Sequence, residues 1–425
     1  MQRWCCWLWE FCGPFYGFRY AARPAGLQLI PSLAECSKDL KPFDFGVIWW
    51  MAHLHLLPES YLMGMVDIRV FAKVLKTFIL GTWYPHGIWW YFPVTISIKT
   101  TLGLIGLALL AGFAIVTRKL GKGPDHSRAL VYVLFVWIAY LATAGINGLN
   151  IGVRHVLPVY ALAAVIAGAG VVALAPLSRG WKWVCSGLIA AHVVSALSVL
   201  PSPLVYANEA WGGAGNTYKV LADSNVDWGQ QLYQLKDWED KHPGEECWFA
   251  CMVRPTILPE TYGVHCHVLP NGVGGAGKEP VPAVVHGAVL LSASELSDAL
   301  WPSMEMNPYR ELQTRKPDEE IDCSVLVYRG DVPMATAGGI SRAFLSYDKV
   351  QAKQPQEALA LAEEAVKLTP DKLYAQRSLG DAAAACGKKD AARPAYNAAI
   401  AAANQLDPER RADYVKNIAE SQKKL

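Results

Sequence analysis

Long stretches without a charged side chain alternate with short charged clusters along this chain, and the alternation predicts a membrane topology. Residues 129–153, 156–178 and 183–208 hold no Asp, Glu, Lys or Arg, and residues 94–116 are interrupted only by Lys99. A helix needs about 20 mostly apolar residues to cross a bilayer, so each of the four runs predicts a span. Buried helices of a large soluble protein are the alternative, and four such runs in close succession do not fit it. The links carry the charge. Residues 117–128 hold Arg118, Lys119, Lys122 and Arg128 against one acid, Asp125, and Arg179 and Lys182 make the link before the last run basic. Basic loops stay on the cytoplasmic side. Both links are therefore expected inside, with everything after Asn208, and the stretch up to about Trp90, outside.

The beginning of the sequence is harder to read. Residues 4–20 are apolar and aromatic but short, broken by Glu10 and Pro14. They lack the basic start, clean apolar core and small-residue cleavage site of a signal peptide, and read as the outer end of a membrane helix whose beginning is missing. Further on, Val70, Phe71, Val74, Leu75, Phe78 and Ile79 share one helical face with Lys73 and Lys76 opposite, the pattern of an interfacial helix. Trp83, Tyr84, Trp89, Trp90, Tyr91 and Phe92 then mark the headgroup level.

Past Glu209 the pattern becomes that of a soluble domain. Leu232, Leu235 and Trp238 fall on one helical face. Residues 247–253, 283–291 and 323–328 are short apolar or β-rich runs that predict strands, and Ser292 or Ser294 can cap a helix starting near Glu295. The tail repeats itself. Leu345 and Leu379, Ala358 and Ala392, and Ala365 and Ala399 are each 34 residues apart, the period of the tetratricopeptide repeat, which the tail resembles. Pro370 and Pro408 follow helix ends. A generic Ala-rich hairpin is the rival, since two copies make a short array.

The expected organisation is thus a truncated membrane helix and outer loop over 1–93, a four-span α-helical membrane domain over 94–208, a small α/β domain over 209–333 and a tetratricopeptide-like tail over 334–425, packed mainly on itself. Composition agrees: the chain is 52% hydrophobic and 18% charged, against about 25% charged in ordinary soluble domains. A net charge of +2 without a basic stripe gives no reason to expect a nucleic-acid partner.

Two soluble motifs are weighed and set aside. Residues 272–278 have the G-x-x-x-x-G-K spacing of a phosphate loop. Glu279 replaces the magnesium-binding hydroxyl, and Pro280 and Pro282 deny the helix that would follow, so no nucleotide site is expected. Cys247, Cys251, His265, Cys266 and His267 supply soft ligands, but no familiar closed zinc spacing. A disulfide or plain buried thiols are the other readings on an oxidising side. Neither a metal nor a cofactor is expected.

Polar residues within the apolar half carry more. Lys99 lies inside a predicted span, and Arg154 and His155 interrupt nearly continuous apolar sequence at an outer turn. A charge at mid-membrane costs about 2.5–3.5 kcal/mol on insertion scales, so such residues are functional candidates by default. Snorkelling to headgroups is the bland reading. Cationic groups facing outward at one level suit an anionic lipid phosphate.

Four ordered blocks then carry a resemblance. They are Tyr84-Pro-His-Gly-Ile-Trp-Trp-Tyr-Phe-Pro93 with Lys99-Thr100, Asn150-Ile-Gly-Val-Arg-His-Val-Leu-Pro-Val-Tyr160, Tyr206-Ala-Asn-Glu-Ala-Trp-Gly-Gly213, and Asp223-Ser-Asn-Val-Asp-Trp-Gly-Gln230. Over roughly residues 10–330 the chain resembles the C-terminal portion of bacterial membrane glycosyltransferases of the protein mannosyltransferase-like group, glycosyltransferase family 39, with the GT-C architecture. The resemblance implies transfer of a sugar from a polyprenyl-phosphate carrier to an acceptor on the outer face of the bacterial inner membrane. By position it puts Lys99, Arg154 and His155 at the carrier phosphate and Asp223, Asn225, Asp227 and Trp228 in the exported segment. His86, Tyr160, Glu209 and Gln230 are further motif positions. Such enzymes hold their catalytic acid in a first outer loop after an N-terminal membrane helix, which this sequence does not carry. The expectation is therefore a fragment of a longer enzyme or a chain that has lost the chemistry.

Inverting transfer needs a carboxylate for the acceptor proton and a clamp for the departing phosphate. Glu209, Asp223 and Asp227 are the acids on hand, though capping and packing are commoner roles for such residues. A membrane-anchored protein whose tail recruits a protein partner is the competing expectation. A transporter is disfavoured because no paired, interrupted helices recur.

Overall fold

The computed structural model describes residues 20–21, 23, 26–120, 124–253, 256–275, 277–298 and 300–425. The apolar stretch 4–19 and the tip of the basic link, 121–123, lie outside the described residues. Among the described residues the chain is mostly helical, with sixteen α-helices and three small sheets. It divides into two compact units.

The first unit comprises residues 1–77, 84–89 and 146–150. Its helices are α1 (Leu33–Cys36), α2 (Pro42–His53) and α3 (Glu59–Val74). Ser32 starts α1 with a capping box: its hydroxyl accepts from the Glu35 amide at 3.3 Å and its own amide donates to the Glu35 carboxylate at 2.8 Å. Ile48, Leu57, Leu62 and Val66 form the core of this unit. The loops 84–89 and 146–150 touch closely: a Cβ on Gly87 would lie 2.1 Å from the Gly148 carbonyl oxygen, so only glycine fits. The Asn150 amide nitrogen donates to the Ile88 carbonyl at 2.8 Å.

The interfacial helix expected over 70–79 ends early. α3 stops at Val74, and the chain continues as strand β1 (Thr77–Ile79) paired with β2 (Thr82–Tyr84). The cause is local. Two short β-branched and aromatic runs flank Leu80 and Gly81, whose φ angles of 52° and 75° make the tight two-residue turn that suits a twisted hairpin.

The second unit holds the apolar helices α4 (Tyr91–Lys99), α5 (Leu102–Val116), α6 (Pro124–Asn147), α7 (Leu157–Leu174) and α8 (Arg179–Leu197). Two segments, Arg128–Ile146 and Val153–Leu177, are long and apolar enough to cross a membrane, and a third span results if α4 and α5 count as one. That pair is bent by 114°, so the first expected span is not a straight helix. The break falls at Thr100 and Thr101, both extended, and the Thr101 hydroxyl caps α5 by accepting from the Leu104 amide at 3.1 Å. Carbonyls freed by the break find one partner: the Asn208 side chain donates to Ser97 and Thr100 at 2.6 and 2.8 Å, and its backbone N–H donates to Ile98 at 2.9 Å. The last expected span is also shorter than its apolar run. α8 ends at Leu197, before Pro201 and Pro203, and carries Arg179 and Lys182 in its first turn.

Small residues let these helices approach. A Cβ on Gly170 of α7 would lie 2.7 Å from Ala111 Cα of α5, and one on Gly103 of α5 would lie 2.4 Å from the Leu188 carbonyl oxygen of α8.

The α/β domain follows. Its central sheet has the order β4 (His267–Val268), β3 (Cys247–Ala250), β6 (Ala288–Ser292), β8 (Val325–Arg329), β7 (Glu319–Ile321). The pairs β4–β3 and β3–β6 are parallel, and β6–β8 and β8–β7 are antiparallel. Strands β5 (Val284–Val285) and β9 (Val332–Pro333) pair antiparallel beside it. Period-two alternation divides the side chains between two cores. Cys247, Phe249, Ala288, Leu290, Val325 and Val327 pack with Leu232, Leu235 and Trp238 of α10 (Leu232–Lys241), which lies beyond the one-turn helix α9 (Thr217–Val220). Trp248, Val289, Leu291, Leu326 and Tyr328 face the other way, against Trp301 and Tyr309. The three expected strands and the helical face of Leu232, Leu235 and Trp238 are all present. Ser292 is the N-cap of the short helix α11 (Ala293–Leu296), without a side-chain capping bond.

The tail consists of α12 (Ala335–Gln351), α13 (Pro355–Leu368), α14 (Leu373–Ala385), α15 (Lys389–Ala402) and α16 (Pro408–Lys423). Consecutive helices pair through small residues: the Ser346 hydroxyl donates to the Ala358 carbonyl at 2.8 Å, and a Cβ on Gly380 would lie 2.6 Å from the Tyr396 ring. The tail is not self-contained. Ala337 and Ile340 of α12 belong to the core of the α/β domain, and Arg342 Nη1 donates to the Val281 carbonyl at 2.6 Å.

Candidate functional site

Asn225 is the hub of the polar structure at the turn before α7. It is fully buried. Its side-chain oxygen accepts from the Val153 amide at 3.0 Å, and its nitrogen donates to the Tyr91 hydroxyl at 2.8 Å and the Ala222 carbonyl at 3.2 Å. Its backbone carbonyl accepts from Lys99 Nζ, which also donates to the Leu204 carbonyl at 2.8 Å. Next to it the Ser224 hydroxyl donates to the Ile151 carbonyl, and Gly152, with φ of 153°, lets Ser224 in: a Cβ there would meet the hydroxyl at 2.2 Å. Three blocks of sequence far apart in the chain, around Tyr91–Lys99, Ile151–Arg154 and Asp223–Trp228, are thus brought together.

Beside this hub the Arg154 guanidinium lies over the Trp228 ring, 4.6 Å from its centroid. Both side chains are exposed. Stacking takes one face of the guanidinium and its Nε–H donates to His155, which leaves the Nη donors without a partner among the described residues. His155 is half-buried behind it; its Nε2 lies 3.5 Å from Arg154 Nε, and its backbone carbonyl accepts from the Tyr140 hydroxyl at 3.1 Å. Asp223 takes a left-handed φ of 58°, uncommon for a residue with a side chain, and its carboxylate accepts from the Ser224 amide. Burial pushes the Asp223 carboxyl up to about 6, against the opposing pull of the Ser224 amide and the Arg154 charge.

The remaining motif residues do other things. Asp227 is fully buried and holds the turn by accepting from the Gly229 amide at 2.9 Å, and burial raises its pKa. Gln230 closes the same turn, accepting from the Trp228 amide at 2.7 Å. Glu209 accepts from the Ser195 hydroxyl at 2.7 Å, which is also 2.8 Å from the Tyr206 hydroxyl. The buried Tyr160 hydroxyl lies near Thr100 without a partner in hydrogen-bond geometry. His86 is exposed on loop 84–89 of the first unit. Sequence reasoning missed Tyr91, Ser224 as a bonding group, and the bend-filling role of Asn208. Asn208 carried one signal, an amide closely following a Pro-rich helix end.

The soft-ligand group resolves into a disulfide between Cys247 and Cys266, with Cys251 a buried thiol. His265 Nδ1 lies 3.3 Å from the Glu239 carboxylate, and His267 stacks on Trp248. The single cluster of metal-ligand type among the described residues, Glu239 with Cys247 and Cys266, contains that disulfide and so offers no thiolate. The Gly272 loop cradles a carboxylate instead of a phosphate: its amide donates to Glu295 at 2.9 Å.

No protein-family model matches this chain, and neither a curated protein nor a solved structure gives a match. The chain is a mostly helical protein with two helices apolar enough to cross a membrane, an α/β domain and a helical tail.

Proposed function

We propose that this chain handles the phosphate of a lipid carrier, as the C-terminal part of a protein mannosyltransferase-like, GT-C-type glycosyltransferase that moves a sugar from polyprenyl phosphate to an acceptor outside the bacterial inner membrane. The observation that carries the reading is the Arg154 guanidinium, stacked on Trp228 with its Nη donors without a partner among the described residues, at the start of the apolar segment Val153–Leu177. A guanidinium held flat presents two parallel N–H groups, the geometry a phosphate accepts. Asp223, whose charge Arg154 feels, is the acid available to take an acceptor proton. The Cys247–Cys266 disulfide supports an oxidising compartment for the α/β domain. The 34-residue period and the paired helices of the tail support the tetratricopeptide-like reading.

The test is binding of a polyprenyl-phosphate analogue to purified protein in detergent. Arg154→Ala is expected to lose most of the affinity and Arg154→Lys part of it, because Lys lacks the planar fork. His155→Ala is expected to lose less than Arg154→Ala. Equal affinity of wild type and Arg154→Ala, with folding intact, removes the phosphate site.

A second reading, a membrane-anchored docking protein, has its own observation. A groove of about 450 Å³ is lined by Phe344, Tyr347, Tyr374 and Tyr414 from the tail and Trp301 from the α/β domain, with Arg377 at its wall. Capture of a protein partner that is lost on Tyr347→Ala and Tyr374→Ala, with no binding of the lipid phosphate, favours that reading.

A further inference from the structure

The disulfide between Cys247 and Cys266 sits among other side chains of ligand type. Cys247 opens β3 and Cys266 precedes β4, one step before the paired residues Trp248 and His267. Both sulfurs and a carboxylate oxygen of Glu239, on α10, lie within 4.8 Å of one another. Glu239 is itself held in place. Its carboxylate accepts from the His265 amide at 2.9 Å, and His265 Nδ1 lies 3.3 Å from its other oxygen. Two sulfurs, a carboxylate and an imidazole nitrogen are thus gathered at one edge of the sheet.

Cutting the disulfide changes what this patch can do. A dithiol that reduces it gives up two electrons and two protons, becomes a disulfide itself, and leaves one thiol each on Cys247 and Cys266. The pairing of β3 with β4 and the bond from the His265 amide to Glu239 involve no sulfur and keep the four groups together. Zn2+ takes four such ligands in a tetrahedron, sulfur at about 2.3 Å and nitrogen or oxygen at about 2.0–2.2 Å, which spaces the ligand atoms about 3.3–3.8 Å apart. Side-chain rotation covers the difference from the present separations. Thiolates and imidazole select zinc over magnesium and calcium, which take oxygen. Access is open: His265 is exposed, and a pocket of about 360 Å³ lined in part by His265, Cys266 and Trp248 adjoins the disulfide.

We infer that the reduced chain carries a zinc site made of Cys247, Cys266, Glu239 and His265, and that the disulfide takes its place when the chain is oxidised. Zinc binding displaces the protons of both thiols. In either state β4, a two-residue strand at the sheet edge, is fastened to β3, and the metal adds α10 to the clasp. The site is independent of the lipid-phosphate reading.

The test uses the full chain in detergent, reduced with a water-soluble phosphine. The phosphine takes the oxygen of one water as the disulfide becomes two thiols, and it brings no thiol to compete for metal. Co2+ is the probe, read by its thiolate-to-cobalt charge transfer and the visible bands of tetrahedral cobalt. The chain has ten cysteines, so the control is a reduced protein carrying both Cys247→Ser and Cys266→Ser. Reduced wild type is expected to bind one equivalent of tetrahedral cobalt more than this control, and equimolar zinc to bleach the signal. The unreduced chain is expected to lack it. Glu239→Gln leaves both cysteines in place and keeps an acceptor for the His265 amide. Even an outer-shell partner of a metal site is worth about 10–100-fold in affinity, so Glu239→Gln is expected to weaken cobalt binding at least about tenfold. No tetrahedral signal in reduced wild type, the same signal in the double serine variant, or equal affinity in Glu239→Gln each overturns the inference.

Discussion

Lys99 and Asn225, 126 residues apart in the chain, are joined by a hydrogen bond from the lysine Nζ to the asparagine backbone carbonyl. The same Nζ takes the Leu204 carbonyl. The side chain is thus spent on two backbone acceptors of the segment that follows the last apolar helix, and its first role is to fasten that segment to α4.

Lys99→Met is expected to leave both carbonyls without their donor and to cost about 1–3 kcal/mol of stability. Denaturant unfolding in detergent measures it. Lipid-phosphate affinity, measured on the same protein below its unfolding range, is expected to change less than in Arg154→Ala. A loss of affinity with unchanged stability would instead give Lys99 to the ligand.

Trp228→Leu keeps the charge of Arg154 but removes the ring beneath it. An exposed cation–π contact contributes about 0.5–1 kcal/mol. The expected result is a several-fold weaker lipid-phosphate affinity with the unfolding midpoint nearly unchanged, and Trp228→Phe should fall between the two.

Glu295 is fully buried, and burial lifts its carboxyl to about 8. In the unfolded chain the same group titrates near 4.3. Folding therefore takes up a proton between these values, so stability is highest below the lower one, falls as pH rises toward 8, and levels off above it. The raised Asp223 and Asp227 act in the same direction at their own values. Glu295→Gln keeps an acceptor for the Gly272 amide without the charge. It is expected to flatten the profile and to stabilise the α/β domain at pH 8 by on the order of a few kcal/mol, with little effect at pH 4. Unfolding midpoints across pH 4–9 test this.

Truncation discriminates where the domain ends. A chain stopping before Ala335 loses Ala337 and Ile340 from the α/β core and is expected to be cleaved rapidly within residues 247–329 by added protease. One stopping after Gln354 retains α12 and should resist. Equal resistance of the two would mean that the tail contributes nothing to that core.

The legible parts of this fold were those with a strong period. Charge-free runs located the apolar helices, and short apolar or β-rich runs located β3, β6 and β8, because burial on both sheet faces leaves apolar strings in place of alternation. The break at Thr100 and Thr101 was not legible, since both residues are tolerated in helices and the carbonyl partner sits at Asn208. Likewise Arg154 stood out as a charge between apolar runs, whereas its platform, Trp228, belongs to a segment whose contact with it depends on the chain's path. Local patterns report what an element buries; long-range hydrogen bonds leave no period to read.

The bend between α4 and α5 also bears on the order in which the protein can be made. Its open carbonyls wait for Asn208, which leaves the ribosome 108 residues after Thr100. At usual synthesis rates that is roughly 5–20 s. The bend held by the Asn208 side chain on the Ser97 and Thr100 carbonyls is therefore completed only after the segment that follows α8 has been made.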